Sequence, residues 1–247
     1  VKALQLKNGQ TLVRVETDGG IHGYGPCHGV TGQFIREAVA GLEGPRNPHL
    51  GLIGKDPLTI DVHFHNMFYA FPHRGGGHVM GVWSAIDIAL WDIAGKVLGL
   101  PVCRLLGGPF RDEIALYSHC GGGDFLSKEE WRERARDMKD DPYGFKAYKI
   151  DIHHIFGGHM LEYAPSMGPR VARDVAKAYG LAREALGDGI DIIVHCHNEL
   201  DLPTAIKVAE AVEPIKPLYF EDPIAPEFGD SWLALRRTTR EIGRAHV

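Results

Sequence analysis

Residues 194–201 read Val-His-Cys-His-Asn-Glu-Leu-Asp. The apolar run Ile192–Val194 thus ends in two imidazoles two positions apart, with Glu199 and Asp201 following at the same interval. In a strand, residues i and i+2 share a face, so His195, His197 and Glu199 can converge on one space. Two other strand-like runs end in the same manner: "FKAYKI" carries Lys149 and leads to Asp151, and "PLYF" leads to Glu221 and Asp222. Any one of these alone reads as a polar strand end. A lysine, an imidazole pair and carboxylates on successive strands fit the removal of a weakly acidic proton beside a carboxylate. That chemistry calls for a divalent cation to stabilise the enediolate as it forms.

The elements that must carry these residues alternate from Ile114 onward. "IALYSH", "FKAYKI", "DIIVHC" and "PLYFED" are predicted strands. Between and after them come four predicted helices. The first opens at the N-cap Ser127, the second ends at Gly187, the third has Pro203 in its first turn, and the fourth begins at "SWLALRRTTR". Four βα units in series mean parallel strands with right-handed crossovers, in a doubly wound sheet or a (β/α) barrel. "CGGGD" lacks the glycine spacing of a dinucleotide-binding turn, which disfavours the first.

Ahead of these units, a hairpin is predicted around Asn8-Gly9, with Asp18-Gly19-Gly20 closing its second strand. An irregular region rich in Gly, Pro and His follows. Next comes a long helix in which Val82, Ile86, Leu90, Ile93 and Val97 recur at helical spacing, with Gly99 as C-cap and Pro101 blocking continuation.

The 247 residues are 44% hydrophobic and 24% charged, as in a globular protein, and a net charge of -5 offers no footprint for nucleic acid. No run has membrane-spanning length and no signal peptide is evident, so a cytoplasmic protein is expected, although the chain begins at Val1 and a leader could have been lost. Four cysteines form no CxxC pair and fit reduced thiols. Among the 14 histidines, His63/His65 and His153/His154 are read as surface or packing residues. The glycines of "FPHRGGGH" lack the Lys-Ser/Thr of a phosphate cradle and read as a mobile loop over the site.

"GVWSAIDIALWDIAGKVLGLPVCRLLGG", "GFKAYKID" and "PLYFEDP" resemble the mandelate racemase/muconate lactonizing family of the enolase superfamily over nearly the whole chain to Arg240. The resemblance implies an α+β capping domain over residues 1–106 and the first half of a TIM-type (β/α) barrel over 107–240. It also implies a base on a strand working beside magnesium ions. Lys149 takes the first position of the family's Lys-x-Lys, and Asp151 the second, where racemases have a basic lysine. Glu221 matches a metal-binding acid. Sugar-acid dehydratases of the family end the third strand in Asp-x-His, 26 positions ahead of that acid, and His195 lies 26 positions before Glu221. His195 therefore occupies the place of a metal-binding Asp, and His197 that of a catalytic histidine suited to protonating a departing hydroxyl. Magnesium prefers oxygen ligands, so the exchange of Asp for His is a real departure.

The implied function is metal-dependent dehydration of a sugar acid, a small carboxylate substrate, by a homo-oligomer. Lys149 would act as base or as electrostatic partner of the carboxylate, His197 as acid, and His195 and Glu221 as metal ligands. The alternatives are a racemase, epimerase or cycloisomerase of the same family, which Asp151 argues against, and a non-catalytic member or fragment. "IGRAHV" back-translates to a common sequencing-library adapter, so residues 241–247 are expected to be a non-native tail on a truncated reading frame.

Overall fold

The computed structural model describes residues 1–43, 50–70, 77–156, 167–227 and 229–239. The first six residues of "FPHRGGGH", as well as Arg240 and the tail, lie outside the described residues. The chain divides into two compact units, Val1–Asp112 and Glu113–Val247.

The first unit is α+β. Strands β1 (Lys2–Gln5), β2 (Thr11–Glu16) and β3 (His22–Cys27) form an antiparallel meander in that order. The loop at Asn8-Gly9 is one residue longer than a two-residue turn, because Leu6 N still donates to Gln10 O at 2.8 Å. Helices α1 (Gly32–Leu42), α2 (Ile60–Tyr69), α3 (Gly77–Leu98) and the short α4 (Val102–Leu105) complete the unit. The long helix is where the periodicity puts it. Val82, Ile86, Leu90 and Ile93 are buried, and Gly99 holds φ 65°, the left-handed region that ends helices. Val97 is instead 45% exposed, so the apolar stripe stops one turn short of the C-terminus.

β3, α1 and α2 are findings that the sequence reading left inside an irregular region. β3 hides because two glycines and a proline occupy it. The glycines are required by the neighbour: a Cβ at Gly25 would fall 1.8 Å from Ala85 O, and one at Gly23 1.9 Å from Ala89 O. α3 therefore lies directly on the backbone of β3, and Asp92 Oδ2 accepts from Tyr24 N at 3.0 Å.

Among the described residues, the second unit holds four parallel strands in chain order: β4 (Tyr117–His119), β5 (Ala147–Asp151), β6 (Asp191–His195) and β7 (Tyr219–Glu221). The helices are α5 (Lys128–Asp140), α6 (His153–Phe156), α7 (Pro169–Leu186), α8 (Leu202–Val212) and α9 (Gly229–Thr238). Ser127 Oγ caps α5 by accepting from Glu130 N, and Gly187 ends α7 at φ 72°. β4 is shorter than expected, with Ile114 75% exposed and outside the strand. Parallel strands paired in chain order, with helices between them, fit the (β/α) barrel expectation rather than the strand order of a doubly wound sheet.

Candidate active site

The pleat of the strands sorts their side chains. Tyr148, Ile150, Ile152, Ile192, Val194, Cys196 and Phe220 enter the core that α5, α7 and α8 also build. Lys149, Asp151, His195, His197 and Glu221 alternate with them, and so share the other face. Register then aligns them: Asp151 pairs with His195, and His195 with Glu221, in one row across three strands. Lys149 lies one layer below, opposite Ile193.

Beyond the strand ends, the backbone stays zipped. Cys196 N donates to Glu221 O at 2.9 Å, Asn198 N to Asp222 O at 2.7 Å, and Leu200 N to Pro223 O at 3.0 Å. The turn needs left-handed residues at Asn198 (φ 60°) and Asp222 (φ 47°), the two side-chain types that tolerate this region best. His197 and Glu199 are thereby carried on a hydrogen-bonded extension of the sheet.

The four residues singled out from the sequence come together at one end of the strands. Lys149 Nζ meets Glu221 Oε2 at 2.7 Å, His195 Nδ1 meets the same oxygen at 2.9 Å, and His195 Nε2 faces His197 Nε2 at 3.1 Å. Asp151 is the addition: its Oδ1 lies 3.8 Å from His195 Nε2, and its Oδ2 lies 3.0 Å from His119 Nε2 and 4.0 Å from His153 Nδ1. Three imidazoles on three elements thus border one buried carboxylate. His153 is buried at this cluster rather than on the surface, and its ring centroid lies 5.4 Å from that of His197. The signal was present in the alternation Lys149, Asp151, His153, and in His119 closing its own strand. His63 is a packing residue, with Nε2 held by Asp56 O at 2.8 Å.

Charge follows from this packing. Burial pulls Lys149 down, but the hydrogen bond and charge of Glu221 outweigh it, so the amine is held above its usual range as an ammonium. Burial, with Lys149 and His197 close by, lowers His195 to about 4, which leaves a neutral imidazole at neutral pH. Burial raises the Glu199 carboxyl and lowers His153. Among the described residues, Asp151 Oδ1, His153 Nδ1, His197 Nδ1 and Glu199 Oε1 are buried without a hydrogen-bond partner.

Sequence profiles account for both units. One described as mandelate racemase/muconate lactonizing enzyme, N-terminal domain, matches residues 5–107, and one described as enolase C-terminal domain-like matches residues 130–243. The chain belongs to the mandelate racemase/muconate lactonizing enzyme family of the enolase superfamily. A D-galactonate dehydratase of Variovorax paradoxus is 31% identical over 92% of this chain and 55% of its own length. A D-galactonate dehydratase family member of Musicola paradisiaca is 32% identical over 92% of this chain and 58% of its own. The chain therefore spans little more than half the length of these curated relatives. The crystal structure of a mandelate racemase/muconate lactonizing enzyme-like protein from Rubrobacter xylanophilus superposes with a TM-score of 0.81, at 31% identity, over 97% of this chain and 63% of that one.

Members of the superfamily use magnesium, and the pair His195 and Glu221 does not fit that ion. One donor is an imidazole, which magnesium disfavours, and the other is a carboxylate oxygen already bracketed by Lys149 and His195.

Proposed function

We propose that this protein is a sugar-acid dehydratase, a hydro-lyase that removes the proton next to a carboxylate and expels the β-hydroxyl as water. The observation that carries the reading is the convergence of Lys149, the His195–His197 pair, Asp151 and Glu221 at one end of β5, β6 and β7. The dehydratase names of the relatives support the same class.

Of the two roles open to Lys149, its charge state supports the electrostatic one. An ammonium held by Glu221 cannot accept a proton, but it can share its charge with an incoming carboxylate and with the enediolate that develops from it. Proton transfer then falls to imidazoles of this cluster, a side-chain type suited to general acid–base catalysis. A racemase would need a second base on the Lys149 strand, and Asp151 is a carboxylate engaged by His119.

The test is an assay of the protein expressed from its complete gene against a panel of aldonic and aldaric acids, D-galactonate among them, following the 2-keto-3-deoxy product. At least one acid should be dehydrated, and Lys149→Met should lower kcat/KM by roughly 10²–10³-fold, as removal of a preorganised charge does. Exchange of the α-proton without elimination, across the whole panel, would replace the dehydratase reading with a racemase or epimerase.

A further inference from the structure

We infer that the mouth of β5 and β6 is a binding site for a divalent transition ion of the zinc class, held by Asp151, His195 and His197, with Glu221 as the outer partner of His195 rather than a ligand. This goes beyond the proposed reaction, because it concerns ion affinity and would hold for a chain without turnover.

The geometry is that of a coordination shell. Donors about 2.0–2.1 Å from zinc stand ~3.3 Å apart in a tetrahedral arrangement. His195 Nε2 and His197 Nε2 face each other at 3.1 Å, and Asp151 Oδ1 lies 3.8 Å from the first. All three side chains offer donor atoms within 4.8 Å of one another. Among the described residues, Asp151 Oδ1 is buried and accepts no hydrogen bond, which leaves it as an acceptor for an ion in this space. Two imidazoles and one carboxylate are a donor set for zinc, cobalt or nickel rather than for magnesium.

The far side of His195 strengthens the assignment. Its Nδ1 lies 2.9 Å from Glu221 Oε2, and Glu221 is in turn held by Lys149 at 2.7 Å. A carboxylate on the second nitrogen of a ligating histidine orients the ring and raises its basicity. With its Oε2 shared by Lys149 and His195, Glu221 is placed to orient the His195 ring from behind. Two other groupings, Asp151 with His153 and His154, and His153 with His197 and Glu199, overlap this one. Both rely on the four-residue α6, whereas Asp151 and His195 are paired strand residues and His197 rides on the zipped extension.

The experiment measures ions, not turnover, so its outcome is separate from that of the dehydratase assay. The purified protein is titrated with cobalt(II), followed by its visible absorption bands, and the bound cobalt is then displaced with zinc or magnesium. Cobalt and zinc should bind stoichiometrically, and millimolar magnesium should not displace them. Asp151→Asn and His197→Ala should each weaken cobalt binding by more than ~100-fold, Glu221→Gln by the roughly 10–100-fold typical of an outer partner, and His153→Ala by little. His195→Asp should move selectivity toward magnesium by returning an oxygen donor. Should a variant fail to fold, zinc added to the unaltered protein must still shift the ¹⁵N resonances of both His195 and His197. Cobalt binding that survives His197→Ala and Asp151→Asn but is lost in Glu221→Gln overturns the assignment, as does ready displacement of cobalt by magnesium.

Discussion

At the residue scale, the Lys149–Glu221 pair is the part of the site with the largest energetic stake. Both side chains are almost fully enclosed, and the contact is 2.7 Å. Removing one partner of a buried pair leaves an uncompensated charge, whereas replacing both by apolar groups is often neutral. Glu221→Leu should therefore destabilise the fold by about 3–5 kcal/mol. The double variant Lys149→Met/Glu221→Leu should recover most of that loss. Urea unfolding of the two variants beside the unaltered protein measures the difference, and equal losses in both would mean that the pair is not what the fold depends on here.

At the element scale, two features can be tested without touching the site. The β3–α3 contact leaves no room for a methyl group, because the atom that a Cβ on Gly25 would meet is the backbone oxygen of Ala85 rather than a flexible side chain. Overpacking normally costs about 1–3 kcal/mol, and here the helix itself must move. Gly25→Ala should reach or exceed that range in the first unit, seen as a lowered thermal midpoint for residues 1–112 by hydrogen exchange. On the other unit, Asp201 continues the alternation that begins at His195, yet it is not a site residue. Its Oδ1 accepts from Thr204 N at 2.8 Å, which makes it the N-cap of α8. Asp201→Ala should cost about 1 kcal/mol of stability and leave ion binding unchanged. A loss of cobalt affinity in that variant would bring Asp201 back into the site.

At the scale of the whole molecule, the four-stranded sheet keeps an edge on each side. Among the described residues, β4 pairs only with β5 and β7 only with β6. Exposed apolar side chains lie close in sequence to both edges, among them Leu116 and Tyr117 at one and Leu218 at the other. Open edges beside apolar surface favour pairing between chains. The 247-residue chain is therefore expected to self-associate, read as a concentration-dependent rise in mass by light scattering on a sizing column. A monodisperse monomer at about 100 µM, well inside the µM–mM range in which exposed edges aggregate, would show that the edges are protected.

The alternation of His195 with His197 and of Lys149 with Asp151, the caps at Ser127 and Gly187, and the 3.6-residue stripe from Val82 to Ile93 are local patterns. Each was legible in the sequence, because side-chain period and cap chemistry depend on near neighbours in the chain. The family motifs supplied the order of the strands and so the convergence of Lys149, His195, His197 and Glu221 on one mouth. What only the tertiary structure decided was partnership. β3 is a strand because a helix some 60 residues later rests on its glycines. Asp151 belongs to the site because cross-strand register sets it beside His195 and within reach of His119. His153, read as a surface or packing residue, is buried with its Nδ1 4.0 Å from the same carboxylate. The direction in which each imidazole nitrogen points, toward Glu221 on one side of His195 and toward His197 on the other, follows from packing between segments distant in sequence, which no local spacing encodes.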